Sequence, residues 1–148
     1  MTPRATALRR GRAGDALTGE VVLDHEARWL RRRTLAALDG TRLLVDLPET
    51  TRLRDGDVLV CEDGRLIAVR AEREALMAVT GPGLARLAWH VGNRHAACQV
   101  EDDRLLLRRD HVLRGMLEGL GAWVEDVDAP FEPEGGAYGH GPVHGHSH

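Results

Sequence analysis

A chain of 148 residues and 16.3 kDa, 43% hydrophobic and 29% charged, suits one ordinary domain or two small ones and is too apolar for a disordered chain. Its 20 basic residues are all arginine, which excludes Schiff-base and phosphate-binding-lysine chemistry. A net charge of −3 gives no general attraction to nucleic acid or to an anionic membrane, and no apolar run approaches the ~20 residues of a membrane span. The charge is uneven: residues 1–70 carry 13 arginines against 11 acids, residues 71–148 carry 7 against 12, so the second half suits a cation better than an anion. Cys61 and Cys98 form neither a disulfide framework nor a CxxC pair, and with no signal-peptide core a reducing cytoplasm is the expected location.

The first half reads as strands and turns. The runs 19–25 (GEVVLDH), 41–47 (TRLLVDL), 56–62 (GDVLVCE) and 64–70 (GRLIAVR) are short and apolar or alternating. Asp39-Gly40, Asp55-Gly56 and Asp63-Gly64 punctuate them as turn dipeptides, and Pro48, which lacks a ladder donor, marks the end of a strand. Aromatic residues are few, so the cores must be mostly Leu, Val and Ala. Asp24, His25 and Glu26 make a polar cluster beside Arg28 that reads as a surface or structural feature. These patterns predict a small all-β domain over residues 1–71.

From Arg73 the rhythm changes. The run 73–80 (REALMAVT) is strand-like, Pro82 sits where a first helical turn tolerates it, and Leu84, Leu87, Ala88 and Val91 recur at helical spacing. Two strands, 96–100 and 104–109, flank a hairpin at Glu101–Asp103. Asp110 can cap a second helix carrying Val112, Leu113, Met116, Leu117 and Leu120, closed by Gly121. A last strand, 122–130, stops at Pro130. The order β-α-β-β-α-β over residues 72–134 is the split βαβ pattern. Beyond Phe131 the composition turns to Gly, Pro, Glu and His, which cannot offset its ordering entropy by burial and should be mobile. The whole is an α+β chain of two domains, with a flexible His-rich tail at 135–148.

No phosphate loop, dinucleotide fingerprint, HExxH or calcium loop occurs, and Ser147, the one serine, lies in the tail, which removes a scaffold-held serine triad. Chemistry falls to the histidines. His90 and His95 are five apart, about 140° around a helix, so a continuing helix would keep them from sharing an ion. Gly92 and Asn93 end that helix and leave the relation open. His90 alone reads as a packed helix residue. His111 opens the second helix, where the dipole favours the neutral imidazole that metals bind. Whether His95 or His111 is a ligand stays open on pattern alone, and Cys98 reads more as a strand residue than as a soft ligand. His140, His144, His146 and His148 are spaced irregularly among Gly, Pro and Ser, unlike a homopolymeric tag. Alternate imidazoles there could converge on one ion. Imidazole suits Ni, Cu, Zn and Co over hard Mg or Ca, but does not choose among them.

Three stretches in order, 87–100 (LAWHVGNRHAACQV), 108–122 (RRDHVLRGMLEGLGA) and 129–138 (APFEPEGGAY), followed by the His-rich end, resemble the UreE urease accessory proteins. In the first half 23–33, 43–60 and 62–71 match as well, so the resemblance covers almost the whole chain. It implies a nickel metallochaperone, not an enzyme, that delivers Ni to apo-urease during active-site assembly, with zinc or copper able to bind in vitro. It implies a peptide-binding-like first domain and a ferredoxin-like, metal-binding second domain through which two copies form a homodimer. The histidine of the GNRH motif, His95, would meet its mate at the two-fold axis, with His140, His144, His146 and His148 completing the shell. Its expected partners are the urease accessory GTPase and the maturation complex, with no nucleic acid and no membrane. Some relatives carry His-x-His where this chain has Arg109-Asp110-His111, so a peripheral site at His111 should be weaker here, because arginine has no acceptor to offer an ion. A metal-buffering module without a dedicated client and a protein-binding adaptor are the alternatives.

Overall fold

The structure, a computed structural model, describes residues 2–135. The described residues divide into two compact units, one up to Glu72 and one over 73–135. No helix among the described residues is long and apolar enough to cross a membrane.

The first unit holds β1 (Arg4–Arg10), β2 (Leu17–Leu23), β3 (Trp29–Ala36), β4 (Arg42–Arg52), β5 (Asp57–Cys61) and β6 (Leu66–Ala71) in one sheet of order β2-β6-β5-β1-β4-β3. Alternation buries Leu43, Val45 and Leu47 of β4 against Ala5, Leu35, Leu59 and Val69, an aliphatic core without an aromatic ring. The β3–β4 and β5–β6 hairpins turn at Gly40 (φ 88°) and Gly64 (φ 91°), in the left-handed region that suits glycine. Before each glycine an aspartate caps the turn: Asp39 Oδ1 accepts from Thr41 N at 2.9 Å, and Asp63 Oδ1 from Arg65 N at 3.1 Å. Asp24 plays the same part, accepting from Ala27 N at 2.8 Å beside the buried Arg28, in keeping with a structural reading of that cluster.

Two strands of this sheet escape the sequence pattern and one end is misplaced. β1 (RATALRR) offers too few apolar residues to alternate. In β3, Leu30 and Leu35 are both buried although five residues apart. A bulge explains this: Leu30 stands opposite Thr51 but Arg32 opposite Asp46, so Leu47–Thr50 face Arg31 alone and the period-2 phase is reset. Pro48 does not end β4. It sits in that bulge, where the ladder asks for no donor, and the strand continues to Arg52.

The second unit holds β7 (Arg73–Thr80), α1 (Leu84–Asn93), β8 (Gln99–Val100), β9 (Leu105–Arg108), α2 (His111–Gly119) and β10 (Trp123–Pro130), the expected β-α-β-β-α-β order. The strands pair antiparallel as β10-β7-β9-β8. One face of the sheet (Met77, Val79, Leu105, Leu107) packs on Leu87, Val91 and Leu117 of the helices. The other face (Leu76, Ala78, Leu106) packs on Phe131. Three expectations are corrected. Pro82 precedes the helix, whose N-cap is Gly83 at φ 74°. The strand expected at 96–100 is two residues long, because 94–98 are drawn into the helix end and the crossing that follows. The segment after Phe131 is not loose from its start: Phe131 is fully buried and Pro133 is buried.

Candidate metal centre

The GNRH stretch terminates α1 in a defined geometry. His95 has φ 58°, the one positive φ at a non-glycine among the described residues. His95 N donates to Gly92 O at 3.0 Å and Ala96 N to Val91 O at 3.3 Å, the paired bonds of a Schellman motif with histidine where glycine is usual. Holding an L-residue there costs about 1 kcal/mol. Next to it, Arg94 Nε approaches Met116 Sδ of α2 at 3.0 Å, fastening the loop to the second helix. The fold thus accepts a strained backbone and presents an exposed imidazole from it.

His90, half-buried on α1, meets the Trp89 ring edge-on with centroids 5.0 Å apart, which fits a packed helix residue. His111 is exposed at the first position of α2, behind Asp110, whose Oδ1 accepts from Val112 N at 2.8 Å and Leu113 N at 3.0 Å. Arg109 is engaged in the sheet: its Nε donates to Leu76 O and its Nη2 to Val127 O, each at 3.1 Å. Leu76 and Val127 are register partners in β7 and β10, so this guanidinium stitches two strands.

Connectivity gathers these features at one end of the unit. α1 starts after the end of β7 and runs back along it, while α2 starts after β9 ends at Arg108, close to Leu76. The end of α1, the start of α2 and the end of β10 therefore lie together. The chain then crosses the sheet. Glu132 N donates to Gln99 Oε1 and Glu134 N to Cys98 O, both at 2.8 Å, so residues leaving β10 at one edge arrive at β8 on the other. Three inter-strand spacings are ~14 Å, and four extended residues cover that distance. A guanidinium from Arg108 lies over the Phe131 ring, 5.9 Å from its centroid, and holds the strap midway.

No periodicity marks this strap. Its signal was present: Phe131, the single phenylalanine, sits between two prolines in an otherwise glycine-rich stretch, the composition of an anchored crossing. Cys98 is half-buried beside it, and burial first, with the Glu134 carboxylate adding, pushes its thiol up to about 11. At neutral pH it is a protonated thiol packed on the helix-side core, and no ready ligand.

Among the described residues no three or more His, Cys, Asp or Glu side chains lie together as a metal-holding group. His140, His144, His146 and His148 lie outside the described residues. An ion on His95 would need donors from the tail or from another copy.

The profile of the UreE urease accessory protein N-terminal domain matches residues 1–72, and that of its C-terminal domain matches residues 67–148. This chain belongs to the UreE family. A urease accessory protein UreE from Rhodobacter capsulatus is 59% identical over 128 residues, covering 86% of this chain and 81% of the relative. The UreE of Ruegeria pomeroyi is 49% identical over 146 residues, covering 99% and 98%. That of Mesorhizobium japonicum is 50% identical over 144 residues, covering 94% and 74%. The first match stops short of the full chain, while the Ruegeria pomeroyi UreE spans both units at near-equal length.

Proposed function

We propose that the chain is a nickel metallochaperone that carries Ni to apo-urease during active-site assembly, working as a homodimer joined through the second unit. The observation that carries this reading is His95: an exposed imidazole on a strained helix end, with no metal-holding group around it among the described residues. Family membership supplies the client. The antiparallel order β10-β7-β9-β8 supports reading residues 72–134 as the ferredoxin-like metal-binding domain, with residues 1–71 as the peptide-binding-like domain and 135–148 as the His-rich tail.

A dimer through the helix layer has support in its outer surface. Trp89 is 63% exposed and Val112 58% exposed. Beside them Gly92, Gly115 and Gly119 stand in the helices with open space where a Cβ would be. Each helical glycine costs about 1 kcal/mol against alanine, and close approach of a second copy would be the return on it. In that arrangement two His95 imidazoles give a rigid, symmetric pair of donors, and His140, His144, His146 and His148 complete the shell from tethers. His111 serves a weaker, peripheral site. Nickel is the cargo. Imidazole donors also accept zinc and copper, so selectivity lies in supply and client. Tethered donors leave one at a time, which suits hand-over by ligand exchange to the accessory GTPase.

Transfer is the test. Nickel-loaded protein mixed with the GTPase and apo-urease should raise urease activity, and deleting residues 139–148 should lower the number of ions bound while light scattering still finds a dimer. Nickel that is bound tightly yet never passed to the client would instead identify a buffer.

Arg109→His should create a His-x-His pair with His111 and add a peripheral ion in calorimetry. Losing the two carbonyl contacts should also lower stability by about 1 kcal/mol in urea unfolding. An unchanged ion count would refute the comparison with relatives that carry the pair.

A further inference from the structure

We propose that the outer face of strands β3, β4 and β1 is a docking surface for an acidic segment of a partner protein, held by Arg4, Arg31, Arg32 and Arg42. The surface lies wholly in the first unit and is independent of how nickel is held.

Register places these residues on one face. Leu43, Val45 and Leu47 of β4 are buried in the core, so Arg42, Leu44 and Asp46 face outward. Ala36, Thr34 and Arg32 stand opposite them on β3, and Arg4 stands beside Leu44 on β1. Asp46 gathers the arginines. It accepts from Arg4 Nη2 at 2.7 Å, with Arg32 Nη1 at 3.6 Å and Arg31 Nη1, from the bulge, at 3.8 Å. The Arg4 bond first, and then the neighbouring arginine charges, hold this carboxyl below the usual carboxylate range.

One carboxylate cannot use up three guanidiniums, each of which carries five N–H donors. The further acceptors are Glu62 Oε2, 3.3 Å from Arg4 Nη1, and Leu47 O, 3.3 Å from Arg31 Nη1. The Arg4, Arg31 and Arg32 side chains remain 45%, 49% and 59% exposed, whereas Asp46 is only 12% exposed. Arg42 is exposed too and makes no ion pair among the described residues. Four positive charges thus stand against two negative ones, with Asp46 sunk between them and donors left facing outward. Ion pairs this exposed contribute little to stability, so the fold itself gains little from collecting them.

The donors select their occupant. Planar guanidinium forks match carboxylates. Asp46 already fills the point where three of them converge, so a lone small anion finds no centre there. The donors that remain are spread out: Arg32 and Arg4 flank β4 at a strand separation of ~10 Å, and Arg42 stands ~13 Å along the strand from Asp46. Thr34 and Ala36 are short and leave the space between them open. A chain segment that presents carboxylates at intervals spans this face. A nucleic acid would meet Asp46, Glu62 and a net charge of −3.

The test uses the full chain and fluorescence anisotropy of a labelled Glu-Gly repeat peptide, with a Gln-Gly repeat as its neutral match. The first should bind and the second should not, and raising NaCl from ~0.05 to ~0.3 M should weaken binding about tenfold. Arg31→Gln with Arg32→Gln should also weaken it about tenfold, and Arg42→Gln about threefold, with urea midpoints close to that of the unaltered chain. Arg31→Lys with Arg32→Lys keeps the charge without the forks and should fall between. Arg12→Gln, beyond the other end of β1, should leave binding unchanged. Failure to bind the Glu-Gly peptide, equal weakening by Arg12→Gln, loss of fold in the glutamine variants, or tighter binding of an oligothymidine through the same arginines would each overturn the proposal. So would concentration-dependent assembly in light scattering that Arg31→Gln with Arg32→Gln abolishes, which would give this face to a second copy.

Discussion

Replacing His95 by glycine should remove tight nickel binding and stabilise the second unit in the same step. The backbone at this position has φ 58° and closes the Schellman pair with Gly92 O and Val91 O. Glycine occupies that conformation without the Cβ clash, so the substitution should add about 1 kcal/mol, read as a raised urea midpoint. The same change removes the imidazole from each copy of the site proposed above. Tight binding, expected at one nickel per dimer if the proposed site is right, should weaken by about 10²-fold or more, because a chelate that loses its fixed donors loses most of its effective concentration. His95→Ala should lose the metal equally but gain no stability, since alanine keeps the Cβ. Calorimetry and unfolding on the two variants separate ligand from backbone. Tight binding that survives both would end the case for His95, and a destabilised glycine variant would end the case for strain.

Phe131→Ala should be the most damaging single change to stability in the second unit. The ring is fully buried against Leu76, Ala78 and Leu106, and among the described residues it is the only aromatic side chain in that cluster. Truncating such a ring costs roughly 3–5 kcal/mol, a large part of what a unit of this size has in hand. Unfolding by urea, followed by far-ultraviolet circular dichroism, should move to much lower denaturant for the second unit while the first is unaffected. Phe131→Leu should cost far less. A loss under about 1 kcal/mol for the alanine variant would show that the strap is ornamental to the core. Because the strap leads into the tail, the alanine variant should also lose protection at Glu132 and Glu134.

Much of this was legible in the residues. The one-sided spacing of Leu84, Leu87, Ala88 and Val91 gave α1, and Asp110 gave the cap of α2, because both rest on local chemistry. β7 has the bounds its residues predict, because REALMAVT is uninterrupted. β3 was hidden for a non-local reason: a bulge on its neighbour shifts which of its residues face inward, and three arginines fill the gap. Pro48 misled in the same way, since a proline ends a strand only where the ladder needs its donor. Within the site, His95 and His111 could be singled out by type and position. The left-handed backbone at His95, the use of Arg109 on two carbonyls, and the crossing at Phe131–Glu134 could not, because each depends on contacts between residues distant in sequence.

The bulge opposite Arg31 has one more consequence. β3 is an outer strand of the first sheet, and its free margin would otherwise be a template for another chain. Its middle carries Arg31, Arg32 and Arg33, all exposed, opposite a partner strand that bulges around Pro48. A like-charged, kinked margin does not zip to its own copy, so the first unit is guarded against sheet extension. A carrier must touch several proteins in turn without sticking to itself in files, and this margin closes one route to such files.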